Sequence, residues 1–203
     1  MRTQSSTAKA VDRAIPPVSE YLTETQIREG LRTSFVGRKI FSFGVLKSTQ
    51  DYALRLAEEG AEEGVVVIAE EQTGGRGRFG RVWYSPPGVG VWCSLILRPK
   101  MLPWESPRLT IVAALAAARA IESSAGPSAA LKWPNDVLIN NRKVCGILTE
   151  LSAEAESVNF VIIGIGVNVN QAATHFPSHL RHRATSLRIE CGHQVSRIKL
   201  LQS

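Results

Sequence analysis

No stretch of this chain approaches the run of about 18 consecutive apolar residues that a membrane-spanning helix needs. The opening residues, MRTQSSTAKAVDRAIPPVSE, hold no continuous apolar segment of the kind an export signal carries. A soluble, unexported, cytoplasmic protein with no membrane partner is expected. Cysteine is scarce as well: Cys93, Cys145 and Cys191 are far apart and form no C-x-x-C pair, which indicates neither a disulfide framework nor a zinc site. His175, His179 and His182 in HFPSHLRH have no adjacent acidic ligand, and Pro177 interrupts any helix that would align them. They read as loop histidines, and no protein-held metal is expected. Internal repeats and low-complexity blocks are absent. So, very nearly, is an excess of one charge. Lys and Arg outnumber Asp and Glu by 24 to 18, but Arg181, Arg183, Arg188, Arg197 and Lys199 stand against Glu190 alone, so the tail supplies +4 of the formal +6. The rest is close to balance, which argues against specific DNA binding.

What is present suits one domain: 203 residues with enough apolar sequence for a real core. Residues 1–22, small, polar and punctuated by Pro16-Pro17, read as a disordered lead-in, and residues 23–203 as the domain. Thr23-x-x-Gln26 resembles a capping box opening a helix to Leu31. Lys39 to Phe43 alternates like a strand, and Ser48 or Thr49 caps a helix to about Glu59 whose Ala53, Leu56 and Ala57 share a face. Val65 to Ala69 is a β-branched, buried strand, and Val91 to Leu97 another. Ser106-Pro107 starts an alanine-rich helix to about Ser123. Asn140-Asn141 marks a tight hairpin, Val158 to Val169 the last strong strand, and Ser196 the cap of a short final helix. The expected fold is α+β, a mixed sheet with helices mainly on one face.

Residues 70–81, EEQTGGRGRFGR, place Gly75, Gly77 and Gly80 in a G-x-G-x-x-G pattern that Val82 extends, with Arg76, Arg78 and Arg81 between and after them. A dinucleotide fold needs a helix to begin inside this motif and an acid about twenty residues later. Here V-W-Y-S-P-P follows instead and the acid is missing. A protein kinase needs V-A-I-K, H-R-D and D-F-G downstream, and none is present. Three guanidiniums repel one another on a bare backbone, so the segment is expected to be mobile alone and to order around a phosphate or carboxylate.

Residues 132–136, KWPND, form a second cluster, in which Pro134 imposes an extended backbone before Asn135 and Asp136. Lys143 lies just past the hairpin turn. Read without a companion motif, Lys143 is an exposed hairpin lysine and Trp133 a core residue. Gly146, within a strand, indicates close approach by a ligand or a bulge. Gly164 and Gly166, leading to Asn168 and Asn170, repeat the theme of bare strand backbone. Cys145 reads as a small buried hydrophobe, and Trp92 and Trp104 as core or edge packing.

Taken together, KSTQDYA, EEQTGGRGRFGR, KWPNDVLINNRKVCGILTE and GIGVNVN, in this order and spacing from about Ile27 onward, resemble the catalytic domain of bacterial biotin-protein ligase (biotin-[acetyl-CoA carboxylase] ligase). The resemblance implies the biotin/lipoate ligase catalytic fold, which is class II aminoacyl-tRNA synthetase-like. It also implies a two-step reaction using ATP, with Mg2+, and biotin. Biotinyl-5'-AMP forms first, then a lysine of a biotin carboxyl carrier protein of acetyl-CoA carboxylase displaces AMP. By the same resemblance, Lys143, Arg78 and Arg76 are catalytic. Ser48, Thr49, Gln50, Gln72, Gly75, Arg76, Gly77, Arg78, Lys143 and Gly146 bind biotin. Arg78, Arg81, Trp83, Asn135, Lys143 and Asn168 bind ATP or the adenylate, and Asp136 orients the acceptor or magnesium. Gln50 departs from the family's usual Asn. No DNA-binding domain precedes the match, so repressor activity is not expected, and the chain stops before the family's SH3-like domain, so it reads as incomplete. A homodimer is left open. The rival readings are a lipoate or octanoate transferase, and a protein that binds biotin or its adenylate without transferring it.

Overall fold

The computed structural model describes residues 21–203; most of the expected lead-in therefore lies outside the described residues. Leu22, assigned to that lead-in, belongs to the folded unit: it is 1% exposed, and its N–H donates to Glu70 Oε1 at 2.7 Å.

Among the described residues, seven strands form one mixed sheet. They are β1 (Ile40–Leu46), β2 (Val66–Gln72), β3 (Gly90–Leu97), β4 (Ala130–Lys132), β5 (Asp136–Ile139), β6 (Arg142–Ala153) and β7 (Val158–Asn168). Their spatial order is β1-β2-β3-β7-β6-β5-β4, with β1 and β2 parallel and the remaining pairs antiparallel. Five α-helices accompany them: α1 (Glu24–Gly30), α2 (Thr49–Glu58), α3 (Pro107–Ala125), α4 (Leu187–Cys191) and α5 (Arg197–Gln202). Among the described residues no helix is long and apolar enough to cross a membrane.

Local chemistry accounts for most boundaries. Thr23, Ser48 and Ser196 each take a β-region conformation and accept a backbone N–H of the first turn, starting α1, α2 and α5. Pro107 opens α3 just after Ser106, and Gly126 ends it in the left-handed region. Asn140 and Asn141, at φ 48° and 60°, make the β5–β6 turn. The short edge strand β4 and helix α4 were not anticipated. KWPND is itself a turn: β4 ends at Lys132, Trp133 to Asn135 reverse the chain, and Asp136 opens β5. Trp133 is 80% exposed rather than in the core, because the reversal carries it past the sheet edge. In the β5–β6 pair the register shifts between Val137 and Leu138, opposite Val144, and in the β6–β7 pair between Ser152 and Ala153, while Gly146 stays paired with Asp136 and Gly166.

The sheet's alternation separates two apolar layers. Ile68, Val91, Cys93, Ile147, Ile163 and Val167 meet the alanine face of α3 together with α1 and α5. Val67, Ile96 and Ile162, of the opposite parity, meet Ala53 and Ala57 of α2. Helices thus lie mainly on one face, with α2 alone on the other. That second face is covered over only part of its length, and the uncovered part forms the site.

One buried ion pair ties the chain's last helix to the sheet. Arg197 Nη1 contacts Glu70 Oε2 at 2.6 Å, with side chains 1% and 7% exposed, and also donates to Gly90 O at 3.3 Å. Removing either side chain takes away the countercharge that the other, buried one faces. Glu70→Ala is therefore expected to destabilise the protein by about 3–5 kcal/mol, read as a lowered urea midpoint, with an Arg197→Met, Glu70→Leu double replacement losing less than the single.

Candidate active site

The site rests on bare sheet backbone. In register, Trp92 of β3 lies beside Gly166 of β7, which lies beside Gly146 of β6; one step along, Ser94, Gly164 and Leu148 follow the same order. All six face the α2 side, and three lack a side chain. A Cβ on Gly166 would lie 2.5 Å from Trp83 Nε1, and one on Gly146 2.8 Å from Trp83 Cζ3. The Trp83 indole therefore rests on this floor, edge-on to Trp92 with centroids 6.3 Å apart. A Cβ on Gly164 would lie 2.5 Å from Gln50 Oε1.

At the α2 end a polar network closes the groove. Gln72 Oε1 accepts from the Thr49 N–H and hydroxyl at 2.8 and 3.0 Å, and its Nε2 donates to Ser85 Oγ at 2.9 Å. Thr49 Oγ1 meets Ser94 Oγ at 2.9 Å, Ser94 Oγ donates to Gln50 Oε1 at 3.1 Å, and Gln50 Nε2 donates to Ile162 O at 3.3 Å. Thr49 and Gln50 sit at the start of α2 because Ser48 caps it, while Gln72 and Ser94 come from β2 and β3. Ser48 itself is spent on the Asp51 N–H and does not line the groove, unlike its expected contact.

Residues 73–84 form a lid over the groove. The segment whose charges led to an expectation of mobility has the form of a short hairpin. Gly77 N donates to Arg81 O at 2.7 Å and Trp83 N to Gly75 O at 2.8 Å, with a bridge between Arg76 and Val82. The reason is that its charges find partners. Arg76 Nη1 contacts Asp51 Oδ1 at 2.5 Å and Nη2 contacts Glu150 Oε1 at 2.6 Å, while Arg78 Nη1 donates to Asn135 Oδ1 at 3.0 Å. Partial burial works against the Arg76 charge, and the hydrogen bonds and nearness of Asp51 and Glu150 outweigh it, so its pKa is raised. Arg76 is thus already neutralised by protein carboxylates. Gly75 passes so close to Trp83 O that an added Cβ would lie 2.5 Å away; its role is to let the hairpin close. Phe79, at the tip with φ 58°, is exposed.

Lys143 holds the centre. Its N–H donates to Arg183 O at 2.7 Å and its carbonyl accepts from Thr185 N at 2.9 Å, fixing the backbone between two strands' worth of contacts. Its Nζ lies 2.6 Å from Asp136 Oδ1 and 5.1 Å from the Trp83 ring centroid. The glycine-floored groove retains a cavity of about 50 Å³, since Trp83 fills most of it. Beside it opens a cleft of about 750 Å³. Gly77, Arg78, Trp83, Asn135 and Lys143 line both spaces and form the partition between them. The cleft adds Arg81, Lys132, His182 and Arg183, and its wall includes Asn168, whose side chain bonds Thr185 O and Gln171. A partition bearing a guanidinium and an ammonium can bring two anionic groups together by cancelling their repulsion.

The anticipated residues thus gather, apart from Ser48 and Gly75, which support rather than line the site. Trp83 stands in the groove and also borders the cleft, and its buried indole N–H has no hydrogen-bond partner. Sequence reasoning missed Ser94, whose polarity within the apolar run VWCSLIL was the available signal, and the carboxylates Asp51 and Glu150, for which there was none. It noted Gly164 and Gly166 but gave them no contact. Among the described residues no group of three or more His, Cys, Asp or Glu gathers that could hold a metal.

Two outcomes follow from this packing. Gly166→Ala, made with the exposed Trp104 and Trp133 replaced by Phe, is expected to push Trp83 off the floor at a cost of about 1–3 kcal/mol. Its tryptophan emission should move to the red, and a folded variant with unchanged emission would contradict the placement. Burial pushes the Cys93 thiol up to about 12 and raises that of Cys145 as well. Neither should be alkylated by iodoacetamide at pH 8 until the protein is unfolded, as read by mass spectrometry.

The chain matches the Biotin/lipoate A/B protein ligase family over residues 42–168. It is 49% identical over 181 residues to the bifunctional ligase/repressor BirA of Bacillus subtilis, which covers 89% of this chain and 56% of that protein. It is 36% identical over 190 residues to the biotin--[acetyl-CoA-carboxylase] ligase of Mycobacterium tuberculosis, covering 87% of this chain and 64% of that one. This chain therefore spans little more than half the length of its BirA relative. The structure of the biotin protein ligase from Aquifex aeolicus in complex with biotin and ATP superposes with a TM-score of 0.68 at 35% identity, covering 81% of this chain and 68% of that chain. With the glycine-floored groove, the arginine lid and Lys143 at the partition, these matches establish that the chain belongs to the Biotin/lipoate A/B protein ligase family.

Proposed function

We propose that this chain attaches biotin, at the expense of ATP, to a specific lysine of a biotin carboxyl carrier protein, through biotinyl-5'-AMP. The observation that carries this reading is the partition: Lys143 and Arg78 stand where a small, partly apolar groove meets a large basic cleft. The groove suits a compact bicyclic ring and its chain, and the cleft suits a nucleotide triphosphate. The names of the relatives favour biotin over lipoate.

In this reading the ureido ring lies against Thr49, Gln50 and Gln72, and the aliphatic chain runs over Gly164, Gly166 and Gly146. Admitting it requires Trp83 to leave the floor for the cleft, where its ring meets the adenine. Loss of its present position is eased because its buried N–H is unsatisfied there. The carboxylate then reaches Lys143 and Arg78. One carboxylate oxygen attacks the α-phosphorus, the bond to the β-phosphate breaks, and pyrophosphate leaves into the cleft toward Arg81 and Arg183. Two anions approach in this step, so fixed cations lower its barrier more than they stabilise either reactant alone. Next, the acceptor's ε-amine attacks the acyl carbon and AMP departs. Asn135 and Asn168 serve the nucleotide side. Asp136 is the carboxylate placed to orient the incoming amine or magnesium, which would arrive with the phosphates and add positive charge there. A cytoplasmic location accords with this reading.

Biotin-dependent exchange of pyrophosphate into ATP tests the first step, and transfer of labelled biotin to a carrier-domain lysine tests the second; exchange without transfer would leave a protein that makes and holds the adenylate only. Lys143→Ala and Arg78→Gly are each expected to lower exchange by about 100-fold or more with an unchanged circular dichroism spectrum. Parental exchange in either variant would remove that residue from the mechanism.

A further inference from the structure

Lys143 reaches the partition because β6 breaks its own alternation just beyond it. Cys145 and Ile147 belong to the apolar layer under α3, and Gly146 between them opens on the groove. Strict alternation would send Lys143, two residues before Cys145, into that apolar layer. The register shift prevents this. Leu138 pairs with Lys143 and Val137 with Cys145, so Val144 is an extra residue, buried in the same layer as Cys145, and the parity before it is reversed. The lysine is thereby re-aimed at the groove, and the ladder with β5 is interrupted beside it. Pairing between β7 and β6 ends at Cys145, so β7 does not hold Lys143 either.

The hold comes from elsewhere. Residues 183–185 run parallel to Lys143, bridged at Ala184, with Lys143 N donating to Arg183 O and Thr185 N to Lys143 O. Behind this pairing lies the Glu190 carboxylate of α4, its side chain only 4% exposed. Oε1 accepts from Arg142 Nη2 at 2.7 Å and from the Thr185 hydroxyl, and Oε2 accepts from Asn140 Nδ2 at 2.7 Å. One buried acid therefore grips the β5–β6 turn, the residue before Lys143 and the segment that pairs with Lys143.

We propose that Glu190 is a positioning residue for Lys143: by clamping Asn140, Arg142 and Thr185 together it holds the re-aimed lysine at the partition, and so sustains the adenylation step. The last clause rests on the function proposed above. Glu190 is placed for this task and not for contact with a ligand, because Glu190, Arg142 and Thr185 line neither the groove nor the cleft. Charge-assisted hydrogen bonds to a buried carboxylate are short and directional, which makes the clamp stiff. Its stiffness matters because Lys143 Nζ is held in place by contacts at 2.6 Å to Asp136 and 5.1 Å to the Trp83 ring centroid, and a displacement of about 1 Å in a reacting geometry can lower a rate about 100-fold.

The test uses Glu190→Gln, which keeps the shape and removes the charge, and Asn140→Gly, which keeps the left-handed turn at φ 48° and removes one of the clamp's three contacts. Placement is read without ligand from the methyl NMR signal of reductively methylated Lys143, identified by its loss in Lys143→Arg. In the parent protein the Trp83 ring displaces this signal upfield. In Glu190→Gln it should move toward the position of the exposed Lys100 signal, which itself stays fixed, and in Asn140→Gly it should move the same way by less. Biotin-dependent pyrophosphate exchange should fall about 10-fold in kcat for Glu190→Gln, with KM for biotin and ATP within about two-fold of the parent values. An unmoved Lys143 signal in folded Glu190→Gln overturns the clamp; if that variant does not fold, an unmoved signal in Asn140→Gly does so. A moved signal with parental kcat overturns the link to adenylation. If the parent protein shows no exchange, the functional reading fails, and the Lys143 signal still decides whether Glu190 positions the lysine.

Discussion

The site depends on the absence of side chains at one spot where three neighbouring strands lie in register. Gly146, Gly164 and Gly166 remove the layer of atoms that would otherwise cover the α2 face of β6 and β7. The Trp83 ring can then descend onto peptide planes, and the lid that carries it closes low. A low lid is what brings Arg76 within reach of α2 and β6 together and Arg78 within reach of Asn135. A methyl group on Gly146 or Gly166 would press against the Trp83 ring and raise the lid, and one on Gly164 would press against Gln50. Packing at the floor and charge pairing at the rim are therefore one geometric problem.

The positive charges are distributed by neighbour rather than by sequence. Within six residues, Arg76 is neutralised by two carboxylates, Arg78 is held by a neutral amide and Arg81 faces the cleft. Dispersal removes the repulsion that made this segment read as mobile. It also sorts the arginines: one closes the lid, and one stays available beside Lys143 for an incoming anion.

Legibility followed the range of the interactions. Caps and turns depend on a few adjacent residues, and Ser48, Pro107, Gly126 and the Asn140-Asn141 pair marked their elements in the sequence. The two motifs that converge at the partition were legible because each joins unusual residue types at short spacing. Strand β4 was hidden since its Ala130, Leu131 and Lys132 are all exposed and show no alternation. The partners of Arg76 lie 25 and 74 residues away, and no local pattern distinguishes Asp51 or Glu150 from other surface acids. Trp83 was assigned to the nucleotide side on its motif alone, and the glycines that receive its ring, Gly146 and Gly166, lie too far along the chain for that motif to mark them.

The Glu70 carboxylate lies in the strand that runs directly into the lid, and its counter-charge sits 127 residues further along the chain. On a translating ribosome, β2 would have emerged long before Arg197, with an acid destined for the interior and nothing to balance it. The nascent sheet therefore has reason to stay loosely assembled until the helix that carries Arg197 docks on it. Closure of the groove is thereby coupled to a helix that contributes no residue to its lining.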